Sequence, residues 1–346
     1  METDVVVIGA GQAGLSAAHF LDRYGLDHIV LDASEGPGGA WRERSPSLTM
    51  DGIHGVFDLP GMARTPVDGA LPARVAVPEY YARYEESLDA GVLRPVEVTA
   101  VRPDGGGLLV ETSRGLWAAR AIVNATGTWT RPHWPSYPGM ADFRGEQLHY
   151  AGYRGPGAFA GRRVIVVGGG ASAAHVLSEL ADVAETRWVT RREPVFHDGE
   201  FGEAARREAV ARVERRVRAG LPPQSVVSVT GLGSSRIVRD ALAKGALERH
   251  PMFARLTADG ALWPDGSAWA ADAVIWATGF RSAIRHLAPL RLREPGGGIR
   301  LEGTRALADP RVHLVGYGPS ASTIGANRAG RAAALDLRDL LARAAA

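Results

Sequence analysis

Short apolar, β-branched runs recur along the chain, and several of them are separated by Ala- and Leu-rich segments with helical spacing. The runs cover residues 5–8, 29–31, 122–123, 164–167, 274–276 and 312–315. Continuous apolar runs that alternate with helices are typical of parallel strands buried on both faces. The pattern therefore predicts an α/β fold with doubly wound sheets. Residues 93–119 are predicted instead as a small antiparallel insertion, with its turn at 103–107.

The largest internal feature is a duplication. Residues 5–32 and 164–191 share one layout: an apolar strand, a Gly-rich turn, an Ala-rich helix, a second strand and a charged residue. Two such units predict two dinucleotide-binding domains. We expect the chain to cross into the second domain at residues 155–162 and to return just past Gly279. This gives a first domain of residues 1–154 and 282–346, into which a second domain of residues 155–281 is inserted.

The first Gly-rich turn has the spacing of a dinucleotide-binding fingerprint. In the run 9–14, Gly9 permits a tight bend, Gly11 lets a pyrophosphate approach the backbone, and Gly14 lets the helix pack on the strand. Asp32 ends the next strand, where a carboxylate accepts hydrogen bonds from a ribose diol and repels a 2′-phosphate. This unit therefore suits FAD or NAD. The competing interpretation is an ordinary tight turn between strand and helix.

The second Gly-rich turn repeats the geometry with the opposite charge. Residues 168–173 follow a strand, and the third glycine position holds Ala173, which controls packing rather than phosphate approach. The slot that holds an acid in the first unit holds Arg191, followed by Arg192. Arginine can pair bidentately with a 2′-phosphate and stack on adenine, so this unit suits NADPH, and NADH also fits. The alternative is that both arginines are solvated surface residues of an Arg-rich chain.

Composition excludes several classes of redox site and of binding partner. The 346 residues contain no cysteine, which excludes disulfide frameworks, thiolate metal sites and Cys-based redox motifs, so redox chemistry requires a bound cofactor. With 40 Lys and Arg against 38 Asp and Glu, the net charge of +2 favours neither a nucleic-acid nor a membrane partner. The chain shows no signal pattern and no long uninterrupted apolar stretch, so we expect a soluble, cytoplasmic protein.

Further motifs give the chain a resemblance to a known family. Gly38-Gly39-Ala40-Trp41 follows the first acid, and a Phe-x-Gly-x-x-x-His-x-x-x-aromatic fingerprint runs from Phe143 to Tyr153, just before the second Gly-rich turn. Two Ala-Thr-Gly segments begin at Ala125 and Ala277. Together with both turns, these motifs resemble the flavin-containing monooxygenases, most closely their short bacterial relatives. The resemblance implies two Rossmann-like domains, each built of three layers in the order ββα. The NADP-binding domain is inserted in the FAD-binding domain.

The resemblance also implies which residues bind each cofactor. For FAD it implies Gly9, Gly11, Gln12, Ala13, Gly14, Asp32, Ala33, Gly39, Ala40, Trp41, Arg42 and Val98. For NADPH it implies Gly168, Gly170, Ala171, Ser172, Ala173, Arg191 and Arg192. The segments that cross between the domains add Ala125, Thr126, Gly127, Ala277, Thr278 and Gly279, and the last flavin-contacting turn and helix add Gly316 and Ile324. No metal site is implied.

The family's activity is implied in the same way. It is an NADPH-dependent transfer of one oxygen atom from O2, through a flavin C4a-hydroperoxide, to a small sulfur or nitrogen nucleophile or to a ketone. The alternatives are an NADPH oxidase or flavin-linked reductase that oxygenates no substrate, and a non-catalytic nucleotide sensor. The scattered His54, His149, His175 and His197 are interpreted as structural, so no catalytic residue is assigned. Whether the chain forms a homodimer stays open.

Three segments carry open questions within this resemblance. His149 and Tyr153 belong to a linker that is either a packed hinge or takes a direct chemical part. The turn at residues 315–320 lacks the Asp that relatives often carry, and backbone amides at the start of the next helix could face the flavin instead. The run at residues 48–54 replaces a more usual Pro- and Ser-containing segment that borders the flavin.

Overall fold

The structure is a computed structural model that describes residues 1–53, 56–89, 91–197, 203–224, 231–321 and 323–343. The α-helices in this part of the chain are α1 (Gln12–Arg23), α2 (Ala73–Glu85), α3 (Ala171–Leu180), α4 (Glu203–Arg218), α5 (Arg236–Ala243) and α6 (Thr323–Arg343). Short 3-10 helices span Gly39–Trp41, Met50–Gly52, Tyr150–Gly152, Pro156–Phe159, Arg285–Leu290 and Gly318–Ser320.

The strands of the first half are β1 (Glu2–Ile8), β2 (His28–Leu31), β3 (Val92–Leu93), β4 (Val98–Asp104), β5 (Gly107–Thr112), β6 (Gly115–Asn124), β7 (Glu146–His149) and β8 (Arg163–Val167). Those that follow are β9 (Glu185–Thr190), β10 (Phe196–His197), β11 (Leu232–Gly233), β12 (Arg249–Pro251), β13 (Arg255–Thr257), β14 (Gly260–Leu262), β15 (Ala268–Ala270), β16 (Ala273–Trp276), β17 (Leu301–Glu302), β18 (Arg305–Ala306) and β19 (Asp309–Leu314).

The first sheet has a parallel core in the order β3-β2-β1-β6-β19, as expected for a doubly wound unit. Strands β17 and β18 extend it antiparallel beyond β19, and β4 and β5 form the predicted antiparallel insertion on β6. Alternate residues of β1 enter two different cores. Val5 and Val7 pack with the helices on one face, whereas Val6 and Ile8 pack with the β4–β5 layer on the other. Burial on both faces explains the unbroken apolar run.

The second sheet is parallel throughout, in the order β12-β9-β8-β16-β7. Val164 and Val166 face α3 and α5, whereas Ile165 and Val167 face the three-stranded antiparallel sheet β13-β14-β15 and its aromatic residues. Each parallel sheet is therefore the middle layer between helices and a second β layer. The predicted α/β fold of two Rossmann-like ββα units is confirmed, and each apolar run lies on a strand, with Val315 just beyond β19.

The two sheets repeat the same hydrogen bonds where their first strands end. The Gly9 amide donates to the Leu31 carbonyl (2.7 Å), and the Ala125 amide donates to the Ile8 carbonyl (2.8 Å). In the second sheet the Gly168 amide donates to the Val189 carbonyl (3.0 Å), and the Ala277 amide donates to the Val167 carbonyl (2.8 Å). The duplication seen in the sequence is thus a duplication of backbone geometry at both Gly-rich turns.

Two segments pack against the other unit, not the one to which the expected domain boundaries assign them. Strand β7, which the range 1–154 counts with the first domain, pairs with β16 in the second sheet. The chain therefore changes sheets between β6 and β7, before residue 155. Helix α4, inside the range 155–281, buries Val217 against the first unit, since this side chain shares a core with Ile284, Leu287 and Tyr317. Sequence order alone does not show this return contact. The remaining boundaries stay a prediction.

None of the helices in the described part of the chain is both long enough and apolar enough to cross a membrane.

Helix α6 approaches α1 so closely that a glycine is required between them. A Cβ placed on Gly330 would lie 2.7 Å from the Ser16 Oγ and 2.8 Å from the Ala17 amide nitrogen. We expect Gly330→Ala to lower the free energy of unfolding by about 1–3 kcal/mol through overpacking, although alanine favours a helix. Thermal or urea denaturation would measure the change.

The matched control reverses the substitution at an exposed position two residues later in the same helix. Ala332→Gly loses helix propensity alone and should cost about 1 kcal/mol. A Gly330→Ala protein that is more stable than the wild type would show that α1 and α6 can separate without cost.

Candidate functional site: two facing dinucleotide turns

The first Gly-rich turn is shaped by contacts that exclude side chains. Gly9 has a φ of +101°, and a Cβ there would lie 2.8 Å from the Ala125 carbonyl oxygen. A Cβ on Gly14 would lie 1.8 Å from the Gly9 carbonyl oxygen. Gly11, in contrast, precedes α1 with no heavy atom within 4 Å of its Cβ position. The turn is therefore tight where it meets the protein and open where a ligand would approach the helix N-terminus.

Asp32 lies at the edge of this opening. Its side chain is buried, and its two oxygens accept hydrogen bonds from the Ala10 amide (2.6 Å) and the Ser34 amide (2.7 Å). Each carboxylate oxygen keeps a further lone pair for a ribose hydroxyl. The Asp32 carbonyl accepts a hydrogen bond from the Val96 amide (2.8 Å), which brings the strand that begins at Val98 alongside.

Three further segments gather around the first turn. In the segment of the Gly-Gly-Ala-Trp motif, a Cβ on Gly39 would lie 3.0 Å from the Gly11 Cα. In the segment between β19 and α6, a Cβ built on Gly316 would lie 3.7 Å from the Ala13 Cβ. The Gln12 amide donates to the Asn327 side-chain oxygen (3.2 Å), which fixes the start of α6 beside the start of α1.

The remaining residues predicted at this site lie on the same segments. Ala33 follows Asp32 and is exposed, and Ala40, Trp41 and the half-buried Arg42 follow Gly39. Ile324 lies in the first turn of α6, and only its backbone is described. His54 lies outside the described residues.

The second Gly-rich turn reproduces the first. Gly168 has a φ of +146°, and a Cβ there would lie 2.3 Å from the Ala277 carbonyl oxygen. Gly170 precedes α3 with nothing within 4 Å of its Cβ position, and Ala173 is fully buried in the third position. Neither α1 nor α3 carries an acidic residue in its first turn, so both helix N-termini suit an anion. Ala171 and Ser172 occupy the first turn of α3.

Positive charge surrounds the second turn. Arg191 and Arg192 follow β9 as exposed residues, and in the described part of the chain neither guanidinium forms an ion pair. The pKa of His133 is lowered, first by burial and then by the positive charges of Arg281 and Arg191. Arg281 and Arg191 therefore both act on His133 and lie near the same part of the surface.

The two crossing segments are hydrogen-bonded to each other. The Ala283 amide donates to the Gly127 carbonyl (2.9 Å), and the His133 amide donates to the Gly279 carbonyl (2.9 Å). The Thr126 hydroxyl donates to the Ala283 carbonyl (2.7 Å). The Thr278 hydroxyl makes the matching bond to the His133 carbonyl. In each Ala-Thr-Gly motif the alanine carbonyl packs against the first glycine of the Gly-rich turn in the same unit. The threonine hydroxyl donates a hydrogen bond to the other crossing segment.

The fingerprint before the second turn makes structural contacts. A Cβ on Gly145 would lie 2.4 Å from the Phe143 ring, which explains the glycine. The His149 Nδ1 accepts from the Ala151 amide (3.1 Å), so its Nε2 carries the proton and donates to the Gly279 carbonyl (3.0 Å). This residue therefore joins β7 to a crossing segment. These contacts are those of a packed hinge, the first of the two interpretations left open by the sequence.

Sequence reasoning missed a polar cluster between the two units. It comprises Arg44, Tyr150, Ser172, His175 and Glu179, which we call the Arg44 cluster. The spacing of His175 and Glu179 on α3 was a readable signal, since residues four apart share a helix face. Nothing in the sequence placed Arg44 against them, because it belongs to the first unit.

These observations agree with comparisons with known proteins. A family model described as pyridine nucleotide-disulphide oxidoreductase matches residues 6–218. The chain belongs to the pyridine nucleotide-disulphide oxidoreductase family. A flavin-containing monooxygenase from Stenotrophomonas maltophilia superposes on this oxidoreductase with a TM-score of 0.86 and 40% identity, over 98% of this chain and 99% of that chain. The resemblance expected from the sequence is therefore confirmed.

Relatives among curated proteins are more distant. An uncharacterized oxidoreductase, CzcO, of Bacillus velezensis is 31% identical over 193 residues, 56% of this chain and 56% of its own length. The flavin-containing monooxygenase FMO GS-OX2 of Arabidopsis thaliana is 31% identical over 228 residues, 56% of this chain and 50% of its own length. The match spans about half the length of these relatives. A bacillithiol disulfide reductase from Bacillus cereus, at 19% identity and a TM-score of 0.71, shares the fold.

The open space at Gly11 gives a direct test of the first turn. With a φ of −79° and no heavy atom within 4 Å of its Cβ position, Gly11→Ala should leave the thermal stability of the flavin-free protein unchanged. Its methyl group would occupy the approach to the helix N-terminus, so the flavin-to-protein ratio after purification should fall. Visible absorbance and thermal denaturation measure the two quantities separately.

Gly14→Ala is the matched control, because its Cβ would collide with the Gly9 carbonyl. It should lose stability and flavin together. Full flavin occupancy in the Gly11→Ala protein would contradict a pyrophosphate contact at this turn.

Proposed function

We propose that this protein is an NADPH-dependent FAD monooxygenase. It transfers one oxygen atom from O2 to a small substrate with a nucleophilic sulfur or nitrogen, or to a ketone. One observation carries this proposal: two open Gly-rich turns of opposite charge lie in one chain that has no cysteine. The residues present fit the two cofactors, since Gly11 and Gly170 leave open space at the two helix N-termini, and a Cβ at either position would occupy the space through which a pyrophosphate approaches the backbone.

The first turn fits FAD. Asp32 is placed to accept hydrogen bonds from the ribose diol next to adenine, and FMN has neither the adenine nor this ribose. A dinucleotide also carries the pyrophosphate that the α1 N-terminus would bind through its backbone amides. We assign the contacts along this cofactor to the segment from Gly39 to Arg42, to Gly316 and to the first turn of α6.

The second turn fits NADPH. Its open helix N-terminus would bind the pyrophosphate, and Arg191 and Arg192 would bind the 2′-phosphate. The equivalent position in the first unit is an acid, which would repel such a phosphate.

A flavin held at the first turn would supply the redox chemistry between the nicotinamide and O2. The residues of this chain bind and orient the two cofactors and cover the cleft between them. Trp129 stacks on Phe280 (4.7 Å between centroids), so one side chain from each crossing segment covers the junction. Such an apolar cover keeps water from the reacting atoms. O2 and the substrate are the partners proposed, and a cytoplasmic location and a homodimer stay predictions.

The visible spectrum of the purified protein tests the proposal. We expect a yellow protein that NADPH bleaches and that consumes O2 with one oxygen atom recovered in a sulfide, amine or ketone of a substrate panel. On mixing the reduced protein with O2, a transient band distinct from oxidised and reduced flavin should precede reoxidation.

Two other results would contradict the proposal. Direct return to oxidised flavin with stoichiometric peroxide, whatever the substrate, would indicate an oxidase or reductase. A colourless protein that takes up no FAD, or a yellow one that NADPH does not bleach, would indicate a nucleotide sensor.

Coenzyme choice tests the second turn. Replacing Arg191 and Arg192 together by glutamine should raise the KM for NADPH about 10- to 100-fold, because a charge-assisted bidentate contact is lost. The KM for NADH should change far less, since NADH has no 2′-phosphate. Steady-state kinetics with both coenzymes would measure the ratio.

A control for net charge replaces Arg102 and Arg114, two exposed arginines of the antiparallel insertion, by glutamine. It removes the same charge from another surface and should leave the coenzyme ratio unchanged. Equal losses for NADPH and NADH in the Arg191/Arg192 variant would show that these arginines do not recognise the phosphate.

A further inference from the structure

The guanidinium of Arg44 lies where the two units meet. The Arg44 Cζ is 4.2 Å from the centroid of the Trp129 ring and 5.4 Å from that of the Trp41 ring. Trp41 belongs to the segment that covers the first Gly-rich turn, and Trp129 to the crossing that leads toward the second unit. The cation thus lies between aromatic side chains from both sides of the junction.

Arg44 forms no ion pair in the described part of the chain, and its Nε is buried without a hydrogen-bond partner. Burial lowers the pKa of its guanidinium. A desolvated positive charge without a partner is unfavourable, and ring faces compensate only a small part of that cost. An anion at this guanidinium would offset that cost.

Tyr150 lies between Arg44 and helix α3 of the second unit. Its ring centroid is 6.4 Å from that of Trp129, the ring that Arg44 covers, and its hydroxyl oxygen lies 3.1 Å from the His175 Nδ1 of α3. Burial raises the pKa of Tyr150, and the nearby Arg44 and Ser172 side chains act against this rise. Ser172 is half-buried in the first turn of α3, two residues after Gly170, where the Cβ position is open. The guanidinium of the first unit therefore lies near the N-terminal turns of α3 in the second unit.

A hydrogen-bonded series holds the Tyr150 hydroxyl in this orientation. The His175 Nε2 lies 3.1 Å from the Glu179 Oε1, and its Nδ1 lies 3.1 Å from the Tyr150 oxygen. Because a carboxylate only accepts, the imidazole proton is on Nε2, and Nδ1 accepts from Tyr150. The tyrosine oxygen then keeps its lone pairs, so it can accept a hydrogen bond from a neighbouring donor.

The carboxylate of this series does not neutralise Arg44. Its Oε2 accepts hydrogen bonds from the Tyr153 hydroxyl (2.7 Å) and the Ser47 hydroxyl (3.0 Å). Burial acts to raise the pKa of Glu179, yet the hydrogen bonds from His175, Tyr153 and Ser47 bring it below its usual value. His175 and Tyr150 stand between this carboxylate and the guanidinium. The positive charge is therefore left for a ligand.

We propose that Arg44 binds the pyrophosphate of the nicotinamide dinucleotide across the junction between the two units. The inference rests on the proposed function and adds a residue of the first unit to the second cofactor site. Its contact differs from that of Arg191 and Arg192, because the pyrophosphate is common to NADPH and NADH whereas the 2′-phosphate is not. Bound dinucleotide then ties the two units together through Arg44.

The test is equilibrium binding without turnover. Isothermal titration of oxidised, FAD-containing Arg44→Gln protein with NADP⁺ and with NAD⁺ should show both Kd values raised about 10- to 100-fold, by the same factor. Binding of 2′-AMP, which lacks the pyrophosphate, should be unchanged. In the Arg191/Arg192 variant the pattern should reverse, with 2′-AMP and NADP⁺ weakened and NAD⁺ little changed.

Arg187 provides a matched control for loss of an aromatic sandwich. Its Cζ lies 5.3 Å from the Trp263 ring and 5.0 Å from the Trp269 ring, outside the junction. Arg187→Gln should leave the affinity for both dinucleotides unchanged. If Arg44→Gln does not fold, Arg44→Lys keeps the charge but loses the planar fork, and both Kd values should still rise in parallel.

Unchanged affinity for both dinucleotides in a folded Arg44 variant, or a loss confined to NADP⁺, would overturn the inference. These outcomes differ from a failure of the proposed function. A protein that binds dinucleotides through Arg44 but oxygenates nothing would refute the monooxygenase proposal alone. A monooxygenase whose Arg44 variants bind normally would refute the inference alone.

Discussion

The structure depends on one repeated backbone contact, the packing of a crossing-segment carbonyl against the first glycine of each Gly-rich turn. The Ala125 carbonyl occupies the space a Gly9 side chain would need, and the Ala277 carbonyl does the same at Gly168. This approach lets the chain turn at once from a buried strand into a helix. The helix amides then face outward at the strand ends, and every other element of the site is arranged around those two openings.

The crossings that supply these carbonyls also determine how the two units face each other. Thr126 and Thr278 each hold the opposite crossing through a hydroxyl, so neither turn is formed independently of the other unit. Helix α4 strengthens the connection, since Val217 returns to the core of the first unit from within the second. The packing of both turns therefore depends on how the two crossing segments are held together.

The two turns share one backbone geometry and differ in the charge of the residue that follows the second strand. Asp32 and Arg191 occupy corresponding positions after corresponding strands, yet one suits a ribose diol and the other a phosphate. The aromatic junction lies between them, with Trp129 and Phe280 stacked where the crossings run side by side. Arg44 brings a positive charge into this apolar region, and its environment is explained by a ligand rather than by another side chain.

The sequence by itself determined the fold and the position of both turns, because their signals are local patterns. Apolar runs specify strands buried on both faces, and the spacing of Gly9, Gly11 and Gly14 marks a strand-to-helix turn within six residues, although the carbonyl that requires Gly9 comes from the distant Ala125. The charge of Asp32 and Arg191 is also readable by counting along one unit. These features follow from chain geometry, so a single sequence is sufficient to find them.

Only the tertiary structure decided which distant residues meet. The pairing of β7 with β16 depends on a crossing more than a hundred residues away, and so does the hydrogen bond from His149 to Gly279. Arg44 is separated from Tyr150 by a similar distance along the chain. No periodicity or spacing encodes such contacts, because they arise only where the two sheets pack together and bury polar groups at their junction.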